Sequence, residues 1–228
     1  MHRPRPVPNQ PMRDQEMRVA VIGASGTLGK EIVKQLSERH EVVSCARTTA
    51  DVPVDLTSSE SIREMYEAIG PVDAVICAAG DGVFKPLSDL TDEDFAFSLA
   101  SKLMGQVNLV RVGSSFVQDN GSFTLTSGMT SRGPIPGSTT FSMQNGAIES
   151  FARAAAADLP RGIRINAVCP QWVDVTLKAY GMDPAWGVPV EQVAPAYIES
   201  VEGDRNGAVI DAGWRYDWAA NYVSIGAS

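Results

Sequence analysis

Residues 18–29 read RVAVIGASGTLG, and this stretch decides the fold. Its first five residues are a short apolar run rich in β-branched side chains, which is typical of a strand buried on both faces. Three spaced glycines follow, and residues 27–38 then place four apolar side chains on one helical stripe. A buried strand that turns through glycines into an amphipathic helix predicts the first β–α unit of a parallel sheet.

The same alternation continues along the chain. Further strands are predicted at 41–45, 52–54, 72–79, 122–126, 163–169 and 207–212. Further helices are predicted after an N-cap at Ser58 or Ser59, and at 91–117, 145–159 and 190–202. Strands that alternate with helices form parallel β–α–β units with right-handed crossovers. We therefore predict an α/β fold, a Rossmann-type doubly wound parallel sheet of about seven strands in one domain, with its site outside the carboxyl ends of the strands.

Composition narrows the class of protein. The chain has 19 Lys and Arg against 27 Asp and Glu, a net charge of −8, which argues against nucleic acid as a partner. No apolar run reaches the ~18 residues of a membrane span. Residues 1–16 are rich in proline and lack the apolar core of a secretory signal, so we expect a disordered tail before a domain at 17–228. These features predict a cytoplasmic protein that binds neither nucleic acid nor membrane.

Cysteine and histidine usage excludes several chemistries. Cys45, Cys77 and Cys169 are far apart and form no C-x-x-C pair, so zinc and dithiol motifs are absent. Each ends an apolar run, which favours a buried small hydrophobe over the alternative, a reactive thiol. His2 and His40 are the only histidines. We therefore expect neither a metal site nor a Ser–His–Asp hydrolase.

The glycine turn suggests a ligand. Glycines at a strand-to-helix turn let the backbone approach a pyrophosphate, whose charge the helix N-terminus attracts. A plain tight turn is the alternative. The candidate phosphate-binding residues are Gly23, Ser25, Gly26, Thr27 and Leu28. At the end of the second strand, where NAD proteins carry an acid, the chain has Arg47 and Thr48. Because an arginine binds a 2′-phosphate, this position favours NADP(H) as the cofactor. The alternative is that the arginine is merely solvated.

The motifs, taken together, resemble those of the short-chain dehydrogenases/reductases. They are GASGTLG, Arg47, VDL at 54–56, CAAG at 77–80, TLTSG at 124–128 and RGIRINAVCP at 161–170, so that the resemblance covers nearly all of residues 18–213. It implies that Asp55 and Leu56 approach the adenine and that Ala78, Ala79 and Gly80 line the cofactor. It also implies that Pro170, Gln171 and Val173 lie beside the nicotinamide, with Gln171 where the family has a glycine.

The resemblance also locates the chemistry, and there the chain departs from the family. Members carry Tyr-x-x-x-Lys at the start of the fifth helix, where the tyrosine exchanges a proton with the substrate and the lysine supports it. In the stretch TTFSMQNGA at 139–147 these positions fall on Phe141 and Asn145. Phe141 lacks the hydroxyl, and Asn145 keeps only a hydrogen-bonding tip for a ribose hydroxyl. Loss of a positioned general acid costs ~10²–10⁴ in rate.

Other residues are candidates for the missing roles. The family's asparagine on the fourth helix corresponds to Lys102, and we hypothesise that Lys102 supplies the cation or donates the proton itself. The alternative is a lysine that snorkels outward. Ser127 matches the substrate-orienting serine, although the spacing also allows Gly128. Tyr180 is a rival proton donor, and Trp172 and Trp186 are candidate walls of a substrate site.

These observations predict an NADP(H)-dependent short-chain oxidoreductase that acts on a small-molecule carbonyl or alcohol with an atypical proton donor. Two alternatives stay open. One is a non-redox enzyme of the same fold (an isomerase, dehydratase or cyclase), and the other is a non-catalytic NADP(H)-binding protein. In the resembling family the helix that matches 152–157 often forms subunit interfaces, so a homodimer or homotetramer is expected.

Overall fold

The computed structural model describes residues 15–213, so most of the predicted tail and residues 214–228 of the predicted domain lie outside the described part. Seven parallel strands form one sheet in the order β3-β2-β1-β4-β5-β6-β7. The strands are β1 Arg18–Ile22, β2 Glu41–Ala46, β3 Val52–Pro53, β4 Val72–Cys77, β5 Val117–Thr126, β6 Arg164–Pro170 and β7 Val209–Ala212. The predicted Rossmann-type fold is confirmed.

Helices connect successive strands, except β2 and β3, which a short loop joins. They are α1 Thr27–Leu36, α2 Ser59–Ile69, α3 Asp92–Ser98, α4 Gly105–Gly113, α5 Thr139–Asp158, α6 Asp174–Ala179 and α7 Ala194–Glu202. Of the two predicted N-caps of α2, the structure has Ser58, whose side chain accepts a hydrogen bond from the Ser61 backbone N–H at 3.1 Å. No helix among the described residues is long and apolar enough to cross a lipid bilayer.

The core lies on both faces of the sheet. Alternate residues of β1 enter two separate apolar clusters, Ala20 and Ile22 with α2, α4 and α5, and Val19 and Val21 with α1 and α7. Burial on both faces explains why β1 and β4 are nearly continuous apolar runs. Strand order reverses at β1, so the carboxyl ends of β1 and β4 border the crevice in which such sheets bind ligands.

Three predicted boundaries were wrong. Val117 begins β5 rather than ending a helix, because Gly113 closes α4 and Val117 pairs with Val72. Helix α5 begins at Thr139, six residues before the predicted start. Its first turn lacks a side-chain N-cap and is held instead by tertiary hydrogen bonds, such as that from the Thr140 hydroxyl to the Val83 carbonyl at 2.6 Å. Residues 190–202 form a short 3₁₀ turn and then α7.

The long helix predicted at 91–117 is also interrupted. Between α3 and α4 the chain forms a π-helix, Leu99–Met104, that carries Lys102. Segments of π-helix are rare and occur frequently at functional sites. The π-helix therefore marks a candidate functional region in the part of this segment that faces the carboxyl edge of the sheet.

Candidate functional site

The glycine turn after β1 is forced by close packing. Gly23 has φ +85°, and a Cβ there would lie 2.7 Å from the Cβ of Ala79. A Cβ on Gly29 would lie 2.0 Å from the Gly23 carbonyl oxygen. The N-cap of α1 is Gly26, which has no side chain to cap the first turn, and that turn contains no acid. The turn therefore presents backbone N–H groups and the positive end of a helix toward the crevice.

A cavity of about 310 Å³ opens beside this turn, and we call it the glycine-loop cavity. Its walls come from the ends of β1, β2 and β4, the turn after β3 and the start of the π-helix. Nine of the predicted cofactor-binding residues line it: Gly23, Ser25, Gly26, Arg47, Asp55, Leu56, Ala78, Ala79 and Gly80. Thr27 and Thr48 do not line it. Phe97 and Ser101 line it as well, and neither carries a local sequence signal.

The charged residues that line this cavity in the described part of the chain are one cation, Arg47, and two acids, Asp55 and Asp81. Arg47 is exposed and forms no ion pair within residues 15–213. Asp55 accepts hydrogen bonds from the backbone N–H and the hydroxyl of Thr57, at 2.9 and 2.8 Å. These two bonds, chiefly the backbone one, lower the pKa of Asp55. Arg47 is thus available to an anionic ligand, while Asp55 fixes the turn after β3.

A second cavity of about 200 Å³ lies on the other side of the crevice, and we call it the lysine cavity. It is mainly apolar. Its predicted residues are Leu28, Lys102, Ser127, Phe141, Asn145, Pro170, Gln171, Trp172, Val173 and Tyr180. The two cavities adjoin at Gly80. This glycine has φ +123°, and a Cβ there would lie 2.8 Å from the Lys102 Cα, so any side chain at position 80 would push the loop after β4 away from the π-helix.

Lys102 points into the protein. The residue is 8% exposed, so the outward-snorkelling alternative was wrong. Its Nζ donates to the Ser127 carbonyl at 3.1 Å and lies 5.9 Å from the centre of the Phe141 ring. Burial lowers the pKa of Lys102 to about 8, although Cys77, Cys169 and Asp81 act in the opposite direction. The amine therefore loses its proton far more readily than an exposed lysine does.

Ser127 is engaged away from the cavity centre. Its hydroxyl lies 3.2 Å from both Glu149 Oε1 and the Val168 carbonyl oxygen. The neighbouring Gly128 faces the predicted site, since a Cβ there would lie 2.8 Å from Asn145 Nδ2. Both candidates for the substrate-orienting position, Ser127 and Gly128, thus lie at the lysine cavity. Gly128, which lies beside Asn145, has no side chain.

Asn145 is 3% exposed and is held by one hydrogen bond. Its Nδ2 donates to the Thr130 hydroxyl at 2.9 Å, whereas its Oδ1 has no partner among the described residues. A buried amide oxygen without a donor is costly, so a ligand hydroxyl would stabilise it. Thr130 lines the cavity, and Glu149 lies behind it at the Ser127 hydroxyl. Sequence reasoning missed both, because only the fold brings their positions to these partners.

Aromatic rings form the outer wall of the lysine cavity. Tyr180 is 43% exposed and contacts Trp172 and Phe84, with ring centres 6.3 and 5.5 Å away. Burial, and secondarily Asp81, raises the pKa of Tyr180, which makes its hydroxyl a weaker acid. Trp186 is exposed and does not line the cavity, so of the two predicted tryptophans only Trp172 is part of this wall.

All three cysteines are buried, and none of them forms a disulfide with another described residue. Burial raises the pKa of Cys45 and of Cys77 to about 12, so both thiols stay protonated at neutral pH. Protonated, buried thiols are inert, as expected for small hydrophobic residues.

The strand order and the glycine turn define a Rossmann-type α/β protein. A family model described as enoyl-(acyl carrier protein) reductase matches residues 10–196. The chain belongs to the short-chain dehydrogenase/reductase family.

Individual relatives agree with this assignment. A hydroxynaphthalene reductase, Arp2, of Aspergillus fumigatus is 28% identical over 156 residues, which are 66% of this chain but only 55% of that protein. A tropinone reductase homologue of Arabidopsis thaliana is 25% identical over 70% of this chain and 69% of its own length.

Solved structures extend the comparison. The protein lin1944 of Listeria innocua is 42% identical, with a TM-score of 0.83 over 86% of this chain and 98% of that one. A small-chain dehydrogenase in complex with NADPH is 26% identical, with a TM-score of 0.76 over 86% and 96% of the two chains. These findings support a short-chain oxidoreductase that uses a nicotinamide cofactor.

Proposed function

We propose that this chain is an NADP(H)-dependent oxidoreductase that acts on a small apolar carbonyl or alcohol, with Lys102 in place of the family's tyrosine as proton donor. The observation that carries the proposal is the burial of Lys102 in the wall of the lysine cavity, beside Phe141 and with a pKa lowered to about 8. A general acid works best when its pKa is near the working pH.

The glycine-loop cavity fits the adenosine and phosphate part of the cofactor. Gly23, Ser25 and Gly26 leave room and N–H donors for the pyrophosphate, with Thr27 and Leu28 at the start of the helix. Arg47, with Thr48 next to it, would bind the 2′-phosphate, because a guanidinium pairs with phosphate through two parallel hydrogen bonds. Asp55 and Leu56 would border the adenine. This set favours NADP(H) over NAD(H).

The remaining cofactor-binding residues lead into the lysine cavity. Ala78, Ala79 and Gly80 border the junction of the two cavities, and Pro170, Gln171 and Val173 line the lysine cavity. Asn145 has an unpaired buried oxygen, which suits a ribose hydroxyl. A bound NADPH would supply the hydride.

Proton delivery falls to the chain's own residues. The Lys102 ammonium donates a hydrogen bond to the Ser127 carbonyl, which holds it in place. The other protons of the ammonium therefore keep fixed directions. Desolvation favours loss of a proton from this group, which is what a developing alkoxide requires. Tyr180 is less suited, because its pKa is raised and its ring lies at the exposed rim. Ser127 then acts by positioning Lys102. Phe141 acts by shaping the apolar wall.

The cavity also limits the substrate. Its volume of about 200 Å³ and its apolar, aromatic walls suit a small molecule with one polar oxygen. One relative is named a hydroxynaphthalene reductase, and another is named a tropinone reductase homologue. Both names refer to compounds built on a ring system.

The test is a binding titration with NADPH and NADH. The protein is then incubated with a panel of small ketones and aldehydes, and the absorbance of the cofactor measures its consumption. Tight NADPH binding with consumption supports the proposal. Binding without turnover favours a non-catalytic NADP(H)-binding protein, for which the absent tyrosine hydroxyl is the supporting observation. Absence of binding favours a non-redox enzyme of this fold.

We also propose that the chain forms a homodimer or homotetramer. Phe97, Met104 and Met143 are large apolar side chains that are more than 40% exposed on the helices near the site. Such exposure suits a surface that is covered by another subunit. Sedimentation of the full chain measures the oligomeric state. Three cysteines that form no disulfide among the described residues are compatible with a reducing, cytoplasmic location.

A further inference from the structure

The amine of Lys102 has a second chemistry open to it. Within residues 15–213 the side chain forms no ion pair, and its nitrogen donates to one neutral group, the Ser127 carbonyl at 3.1 Å. Structural lysines in protein interiors are usually paired with a carboxylate, because an isolated buried charge is costly. A buried lysine without one is easily neutralised, and a neutral amine is a nucleophile.

The surroundings of Lys102 suit carbonyl compounds. The lysine cavity has aromatic walls from Phe141, Trp172 and Tyr180, and among residues 15–213 Lys102 is the only lysine or arginine that lines it. The ionisable groups that act on the amine are Cys77 of β4, Cys169 of β6 and Asp81 of the loop after β4, and burial outweighs them. Apolar walls around a desolvated amine also disfavour water, which would otherwise hydrolyse an imine.

We propose that Lys102 is a Schiff-base lysine, whose neutral amine condenses with small apolar aldehydes or ketones in the lysine cavity, in the absence of any nucleotide. The nitrogen lone pair forms a bond to the carbonyl carbon as the C=O π bond breaks. The oxygen takes one proton from that nitrogen and a second from solvent and leaves as water, which gives a protonated imine. The step consumes no oxidant or reductant, and it does not depend on the proposed reductase function.

Reductive trapping tests the proposal on the full chain without nucleotide. The protein is incubated at pH 8 with benzaldehyde and sodium cyanoborohydride, which transfers hydride to the iminium carbon and leaves a stable benzylamine. Peptide mapping then measures the adduct at each lysine. The four exposed lysines, Lys30, Lys34, Lys85 and Lys178, are internal controls in the same molecule. We expect at least about tenfold more adduct on Lys102 than on any of them.

Further arms separate the outcomes. Glyoxylate, a small anionic aldehyde, should show no preference for Lys102, because the apolar walls exclude its charge. Lys102→Arg keeps a cation and should lose the adduct at this position only. Adduct spread evenly over the exposed lysines, or absent from Lys102, overturns the proposal. Because no nucleotide is present, a trapped Lys102 in a protein that fails to consume NADPH would support the imine chemistry and contradict the reductase.

Discussion

The two cavities lie side by side at one edge of the same sheet, yet they differ in how they relate to the family. Apart from Leu56, the positions in the glycine-loop cavity that the sequence resemblance assigns to the cofactor carry small or polar residues that leave room for a nucleotide. In the lysine cavity the same resemblance predicts departures from the family, with Phe141 and Asn145 at the positions of the tyrosine and the lysine and Lys102 at that of an asparagine. Our proposal explains this contrast by nucleotide binding that was kept and a proton chemistry that moved to a different side chain.

The largest effect is expected from removal of the Lys102 amine. Lys102→Met should lower kcat for carbonyl reduction by ~10²–10⁴, because a positioned general acid is lost. NADPH affinity should change little, since the glycine-loop cavity is intact. Stopped-flow hydride transfer and a binding titration measure the two quantities separately. Lys102→Arg is the matched control, which keeps the charge but cannot donate its proton at neutral pH.

An unchanged kcat in Lys102→Met would remove Lys102 from the mechanism. A variant that loses NADPH affinity as well would mean that the two cavities are not independent.

A change at Arg47 probes the other cavity. Arg47→Gln should weaken NADPH binding by about 10–100-fold and leave NADH binding nearly unchanged, because a charge-assisted phosphate contact is worth about 1.5–3 kcal/mol. Isothermal titration calorimetry with both nucleotides gives the two constants. Arg63→Gln, an exposed arginine on α2, is the control and should bind both nucleotides normally. Equal losses for NADPH and NADH would argue against recognition of the 2′-phosphate.

The burial of Lys102 should also be visible in stability. A pKa lowered to about 8 means that the unfolded chain binds this proton more tightly, so stability rises as pH increases from about 8 toward the unfolded value. Removal of the amine abolishes that term. The stability of Lys102→Met relative to wild type should therefore be about 2 kcal/mol more favourable at pH 7 than at pH 10. Urea unfolding at both pH values measures it. A constant difference would mean that the lysine is solvated.

The smallest effect is expected from restoring the family's hydroxyl. Phe141→Tyr places a phenol near the Lys102 ammonium, whose charge lowers the pKa of a phenol, and kcat on generic ketones should rise by about tenfold. Phe84→Tyr, at a ring 6.5 Å from Phe141, is the control and should leave kcat unchanged. A similar gain in both variants would point to a general effect of polarity at the rim.

Sequence reasoning worked where local chain geometry decides the structure. The glycine turn and the place of Arg47 at a strand end follow from short motifs, because neighbouring residues fix them. It failed where distant segments meet. The engagement of Ser127 depends on Glu149, which is 22 residues away. The inward direction of Lys102 depends on a π-helix and on Gly80, so the sequence left it as one of two alternatives. The start of α5 was misplaced for the same reason, since tertiary hydrogen bonds replace a local cap.

The account depends most on the claim that the proton comes from the Lys102 ammonium, and the pH dependence of hydride transfer at saturating NADPH tests it directly. Because this group is protonated below its pKa of about 8, carbonyl reduction should be constant below that pH and fall about tenfold per unit above it. Alcohol oxidation, which needs the neutral amine, should show the mirror image. Profiles that stay flat from pH 7 to pH 10 in both directions, or that Lys102→Met leaves unaltered, would contradict it.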